Sequence, residues 1–239
     1  MISQAVILCG GLGTRLGALT SDTPKPLLEV GGKPFLETLL FEVARHGFRS
    51  VLFLAGFAGQ HIVEYAASSR IAREFGLELD VVVEDTPAGT GGSLWLARSR
   101  LETEFLLMNG DSWFDINLRA LTAHLLADPE AVGVLALRQV EDGSRYGTVF
   151  ATGNRIVRYA ARPAQGGPAL VSAGVYAFRR SLVGRLVSLL KSSGLSPKNR
   201  HLASRRELQV KGVRSKADMI NSPFRGSHHA GHRLLAGSP

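Results

Sequence analysis

Ala5-Val6-Ile7-Leu8-Cys9-Gly10-Gly11-Leu12-Gly13-Thr14-Arg15-Leu16, followed by Thr23-Pro24-Lys25-Pro26-Leu27, decides how the chain reads. The apolar run 5–8 has the length and content of a buried strand, and glycines begin where that strand would end. Such a turn leaves backbone N–H groups open to an anion, because no Cβ stands in the way. Arg15 adds a planar cationic fork that suits phosphate oxygens. Lys25, held between two prolines, places a second positive charge on a stiffened segment. The stretch describes a cradle for a nucleoside triphosphate with two cationic arms.

Two better-known glycine patterns do not fit. A dinucleotide fingerprint needs Gly-x-Gly-x-x-Gly, but after Gly11 and Gly13 the third position is Leu16. It also needs an acidic residue after the second strand to hold a ribose, where this chain has Ala55-Gly56. A P-loop needs Lys-Ser/Thr directly after its glycines, and none follows.

Working outward, residues 1–190 alternate apolar runs with helical patterns. The runs predict strands at 5–8, 51–55, 79–83 and 105–108, with helices at 34–45, 59–67 and 92–100 between them. In the first helix Phe35, Leu36, Leu39, Leu40 and Val43 recur at helical spacing. This alternation predicts an α/β fold, a mixed but mostly parallel sheet with helices on both faces. Ligands of such sheets gather at the carboxyl ends of the strands. The glycine loop, the 84–92 segment and Asn109-Gly110-Asp111 all fall at that edge. A helix at 118–126 follows, then β-like runs at 133–140, 148–151, 156–159 and 169–178, and a closing helix at 181–190.

Composition bounds the rest. The chain has 239 residues, 45% of them hydrophobic, enough for one sizeable core. One cysteine, Cys9, excludes a disulfide framework and a thiolate cluster. No signal peptide or membrane-length apolar run is present, so a soluble cytoplasmic protein is expected. Of 28 basic and 20 acidic residues, 10 and 2 respectively lie from Lys191 onward, leaving 18 of each before it. The body is neutral, and the net charge of +8 belongs to residues 191–239. That stretch, rich in Ser, Arg, His and Gly, reads as a poorly ordered tail appended to a 1–190 domain. A nucleic-acid-binding fold would spread positive charge over its body, so nucleic acid is not the expected partner.

Several segments together resemble the sugar-1-phosphate nucleotidyltransferases. They are Gly10–Leu16, Pro24-Lys25-Pro26-Leu27, Gly31-Gly32-Lys33-Pro34, Pro87-Ala88-Gly89-Thr90-Gly91-Gly92, Asn109-Gly110-Asp111 and Ser144-Arg145-Tyr146-Gly147-Thr148-Val149. The resemblance covers about residues 4–190 and is nearest to the D-glycero-D-manno-heptose 1-phosphate and mannose-1-phosphate guanylyltransferase branch. It implies a Rossmann-like (GT-A-like) fold and a reaction that couples a sugar 1-phosphate to a nucleoside triphosphate with Mg²⁺, releasing pyrophosphate. GTP is the implied nucleotide, and the product would serve polysaccharide biosynthesis. The implied partners are the two substrates, without a membrane and with a homo-oligomer left open.

The resemblance also implies roles. Arg15, Lys25 and Asp111 become the catalytic residues, with Asp111 the Mg²⁺ ligand. Leu8, Gly10, Gly11, Gly13, Thr14, Arg15, Pro87, Gly89, Thr90 and Gly91 would bind the nucleotide, segment 86–92 reading the base edge through its backbone. Asn109, Gly147, Arg162 and Ser172 would face the sugar. Asp115 reads instead as a turn or cap before the 118 helix, Lys33 as a solvated turn residue, and Cys9 as a buried filler. The chain departs from the pattern in three places. Ala161 stands where the family has a sugar-holding Glu, Ser172 stands where it has Asn, and no Phe-Ile-Asp-Ile-Gly-like segment follows Leu190. A sugar-nucleotide sensor without catalysis is therefore the alternative reading.

Overall fold

A computed structural model describes residues 1–11, 19–160 and 166–185, with the backbone of Val213–Lys216. The first half is an α/β unit. It runs β1 (Gln4–Leu8), a hairpin of β2 (Glu29–Val30) and β3 (Lys33–Pro34), α1 (Phe35–Arg45), β4 (Ser50–Ala55), α2 (Gly59–Ser68), α3 (Arg70–Phe75), β5 (Glu78–Val83), α4 (Gly89–Leu96) and β6 (Glu104–Asn109). The second half adds α5 (Leu118–Leu126), β7 (Gly133–Val140), β8 (Thr148–Thr152), β9 (Arg155–Ala160), β10 (Ala169–Arg179) and β11 (Val213–Lys216).

One sheet takes the order β5-β4-β1-β6-β10-β7-β11-β9-β8. Strands β5, β4, β1 and β6 are mutually parallel. From β10 outward the pairing turns antiparallel, except that β11 lies parallel to β7. The expected mixed α/β sheet is thus present; its first-half strands are parallel, whereas among the described second-half strands only β7 and β11 pair in parallel and the expected mostly parallel character does not extend there.

Alternation along the central strands explains why both faces are covered. Ala5, Ile7, Val51, Phe53, Leu106 and Met108 point to one face, where they pack with Leu36, Leu39, Leu40 and Val43 of α1 and Leu121 and Leu125 of α5. Val6, Leu52, Leu54, Phe105 and Leu107 point to the other, against Leu94 of α4 and Ala97. Strands apolar on both faces need helices on both faces.

Four details differ from the sequence-based expectation. Helix α4 begins at Gly89, three residues early, where the Glu84 carboxylate holds its start by accepting from Ala88 N (3.2 Å), just before the helix, and from Ser93 Oγ (3.0 Å). It ends at Leu96 in a series of tight turns rather than at Arg100. Helix α3 was not anticipated, although Ser69 caps it by accepting from Ala72 N (3.3 Å) and Gly76 closes it at φ +63°. Gly31 and Gly32, both at positive φ, form the two-residue turn that joins β2 to β3. Of the closing helix expected at 181–190, residues 181–185 are helical and the rest lies outside the described residues. Most of the expected tail also lies outside them.

Candidate active site

Strand β1 ends at Leu8, and the site is assembled around that end. Cys9 N donates to Leu54 O (2.7 Å), and Gly110 N donates to Leu8 O (2.9 Å). The glycine turn is thereby fixed to both neighbouring strands. Close approach requires the glycines: a Cβ on Gly110 would collide with Leu8 O, and one on Gly56 would stand 3.0 Å from Gly10 Cα. Because β6 lies next to β1, Asn109-Gly110-Asp111 emerges beside the turn.

Lys25 arrives on a short 3-10 turn, Lys25–Leu27, closed by Leu27 N to Pro24 O (2.9 Å). The Pro26 ring is buried against Gly110. This packing carries Lys25 to the end of β6, and its Nζ donates to Asp111 Oδ2 at 3.1 Å. Ser112 Oγ donates to Asp111 Oδ1 at 3.1 Å.

A cleft of about 510 Å³ opens between these segments. Leu8, Gly10, Gly11, Lys25, Pro87, Gly89, Thr90, Asn109 and Asp111 all line it, so residues more than 100 positions apart converge as expected. Gly91 lies on the exposed side of the first turn of α4, outside the lining. Gly13, Thr14, Arg15 and Arg162 lie outside the described residues.

Glu84, which the sequence reading passed over, lines the same cleft. Its Oε2 ties the 85–88 segment to α4, while Oε1 reaches toward Gly10 and Gly56, 2.9 and 2.7 Å from the places their Cβ atoms would take. The available signal was its place at the end of β5, an acid at the carboxyl edge of a parallel strand.

On the expected sugar side, Ser172 Oγ donates to Tyr176 Oη (2.7 Å) and accepts from Gly174 N (3.1 Å). It thus braces the irregularity between Ser172 and Tyr176 in β10, where Gly174 takes φ +79° beneath the Asn109 side chain. Gly147 packs under the Tyr159 ring, with no room for a side chain. Neither Ser172 nor Gly147 lines the cleft.

The remaining residues resolve simply. Helix α5 is capped by Asn117, which accepts from Ala120 N (3.0 Å); Asp115 is not its cap and lies 3.8 Å from Arg45. Lys33 makes an exposed pair with Glu37 at 3.8 Å. Cys9 is buried, and burial pushes its thiol far above the ordinary range, so it is inert.

Asp111 fits a Mg²⁺ ligand. It is a hard carboxylate, about half exposed, and it already holds a cation, the Lys25 ammonium. Mg²⁺ characteristically takes one or two carboxylates and completes its shell with phosphate oxygens and water. Among the described residues no three His, Cys, Asp or Glu side chains converge on one point, so a metal here would depend on such phosphate oxygens.

The mixed α/β sheet thus brings the start of the glycine turn, a lysine and a carboxylate together at one edge. The pattern of the family described as "Nucleotidyl transferase" matches residues 4–215, and the chain belongs to that family. A D-glycero-alpha-D-manno-heptose 1-phosphate guanylyltransferase of Campylobacter jejuni is 36% identical over 146 residues, 61% of this chain and 62% of the relative. A mannose-1-phosphate guanyltransferase of Neurospora crassa is 31% identical over 189 residues, 77% of this chain and 51% of that one. The chain therefore spans about three-fifths or less of the length of these two relatives. Among solved structures, HddC from Yersinia pseudotuberculosis complexed with GMP-PN superposes with a TM-score of 0.64 at 24% identity, covering 76% of this chain and 79% of its own. A Bacillus anthracis protein described as a putative glucose-1-phosphate thymidylyltransferase reaches 0.73 at 20% identity, covering 90% and 86%. These two establish the fold.

Proposed function

We propose that the protein transfers a guanylyl group from GTP to a sugar 1-phosphate of the heptose or mannose type, releasing pyrophosphate. The observation that carries the reading is the convergence of Lys25 and Asp111, 3.1 Å apart, on the glycine turn at one edge of the sheet. A sugar-phosphate oxygen would attack the α-phosphorus in line. One P–O bond forms there as the bond to the β-phosphate oxygen breaks, and the protein need only position the groups and neutralise their charge. The Lys25 ammonium would lie between the two phosphates and screen their repulsion. Gly10 and Gly11 would offer backbone N–H groups to the leaving pyrophosphate, with Arg15 beside them. Mg²⁺ held by Asp111 would supply further positive charge on the phosphate oxygens.

The similarity to two guanylyltransferases supports guanine as the base. On this reading the reaction is cytoplasmic, and Asn109, Gly147, Arg162 and Ser172 form the sugar side.

The test is pyrophosphate release from four nucleoside triphosphates against heptose, mannose and glucose 1-phosphates with Mg²⁺. Turnover confined to GTP with a heptose or mannose phosphate is expected. Preference for another base overturns the guanine assignment, and tight GTP binding without turnover for any sugar converts the enzyme into a sensor.

A further inference from the structure

We infer that Lys25 is the resident cation of the Asp111 carboxylate, excluding a free divalent ion until a polyphosphate draws the ammonium away. The inference rests on the proposed role of Asp111 as a metal ligand and adds how that role is controlled. Both carboxylate oxygens are already engaged, Oδ2 by Lys25 Nζ and Oδ1 by Ser112 Oγ, each at 3.1 Å. A divalent ion approaching Asp111 therefore meets a positive charge at contact distance and must displace it. At such separations the two cations repel each other, an effect that solvent around the half-exposed carboxylate moderates but does not abolish.

The backbone cannot relieve this conflict. Lys25 is fixed by its 3-10 turn, in which Leu28 N donates to Lys25 O (3.1 Å), and by the buried Pro26 ring packed on Gly110. Asp111 is fixed because Gly110 N is bonded to Leu8 O. What remains free is the four-carbon lysine stem, which can turn its ammonium from the carboxylate to a phosphate. A triphosphate in the cleft gives Lys25 a new partner and Asp111 a vacant oxygen in one event. Metal and nucleotide then bind with positive coupling, each raising the affinity of the other by the same factor.

The test uses the full chain without nucleotide and Mn²⁺ as the probe, with free Mn²⁺ read by electron paramagnetic resonance. Lys25→Met keeps the stem and removes the charge, and Lys25→Gln is a second variant. Thermal melts of both confirm that each is folded. Expected is Mn²⁺ binding at least about fivefold tighter in both variants than in the parent, an advantage lost when Asp111→Asn is added. Unchanged or weaker Mn²⁺ affinity in the Lys25 variants, including no binding by any of them, overturns the inference. A separate titration with a non-hydrolysable GTP analogue distinguishes that failure from failure of the underlying reading. If Asp111→Asn weakens Mn²⁺ binding there, Asp111 remains a metal ligand without a lysine gate; if it does not, the ligand assignment falls as well.

Discussion

Gly56 offers a direct test of how tightly the candidate site is packed. It follows β4 and lies against the glycine turn at Gly10. An alanine Cβ there would come to 2.7 Å from Glu84 Oε1, 3.0 Å from Gly10 Cα and 3.1 Å from Gly10 O. Two of these neighbours are backbone atoms, so no rotamer change relieves the contact. Neither strand end can retreat freely, because Cys9 N is bonded to Leu54 O and Glu84 N to Ala55 O. Overpacking of this kind costs about 1–3 kcal/mol. For a chain of this size, about 2 kcal/mol lowers the melting temperature by roughly 4–8 °C. The same displacement moves Gly10 and turns Glu84, so nucleotide affinity should fall together with stability. Differential scanning calorimetry and GTP titration of Gly56→Ala measure both. A variant that melts within about 1 °C of the parent and binds GTP equally well would refute the close approach of these loops.

Three further predictions address separate parts of the molecule. Lys25→Ala should reduce turnover by about 100-fold or more, since a charge placed between two phosphates acts on the transition state; steady-state pyrophosphate release measures it. Arg119, whose guanidinium donates to His46 O and to Ile2 O (2.5 Å) and lies 4.2 Å from the Phe48 ring centre, ties α5 to the start of β1. Arg119→Ala should cost about 2–3 kcal/mol in urea unfolding, and lysine should restore little because it cannot fork between two carbonyls. Lys33→Ala, by contrast, should change stability by less than about 0.5 kcal/mol in the same assay, because its pair with Glu37 is long and exposed.

The comparison of sequence with structure divides along physical lines. Strands β1, β4 and β6 were legible because residues apolar on both faces form short continuous runs, and the edge strand β5 because Val81–Val83 form a β-branched run. Their convergence was legible because parallel strands place their carboxyl ends together. The start of α4 was not, since Gly89 and Gly91 have poor helix propensity and its beginning is held by Glu84, a residue outside the helix. Asp115 read as a turn or cap before α5, and Asn117 is the cap: both are suitable by type, and only the backbone course shows which side chain meets Ala120 N.

The sequence by itself determined the glycine turn after β1 and the Pro-Lys-Pro segment, because glycine spacing and fixed prolines are local chemistry written in consecutive residues. It also determined that Cys9 is a packing residue and that the excess positive charge lies after residue 190. Only the tertiary structure decided that Lys25 holds Asp111, that Glu84 joins the 85–88 segment to the glycine turn, and that Ser172 braces a bulge. Each of those contacts joins residues that come together through strand order or through a local bend in the backbone. Such contacts depend on a few tenths of an ångström of packing, which residue type and spacing do not encode.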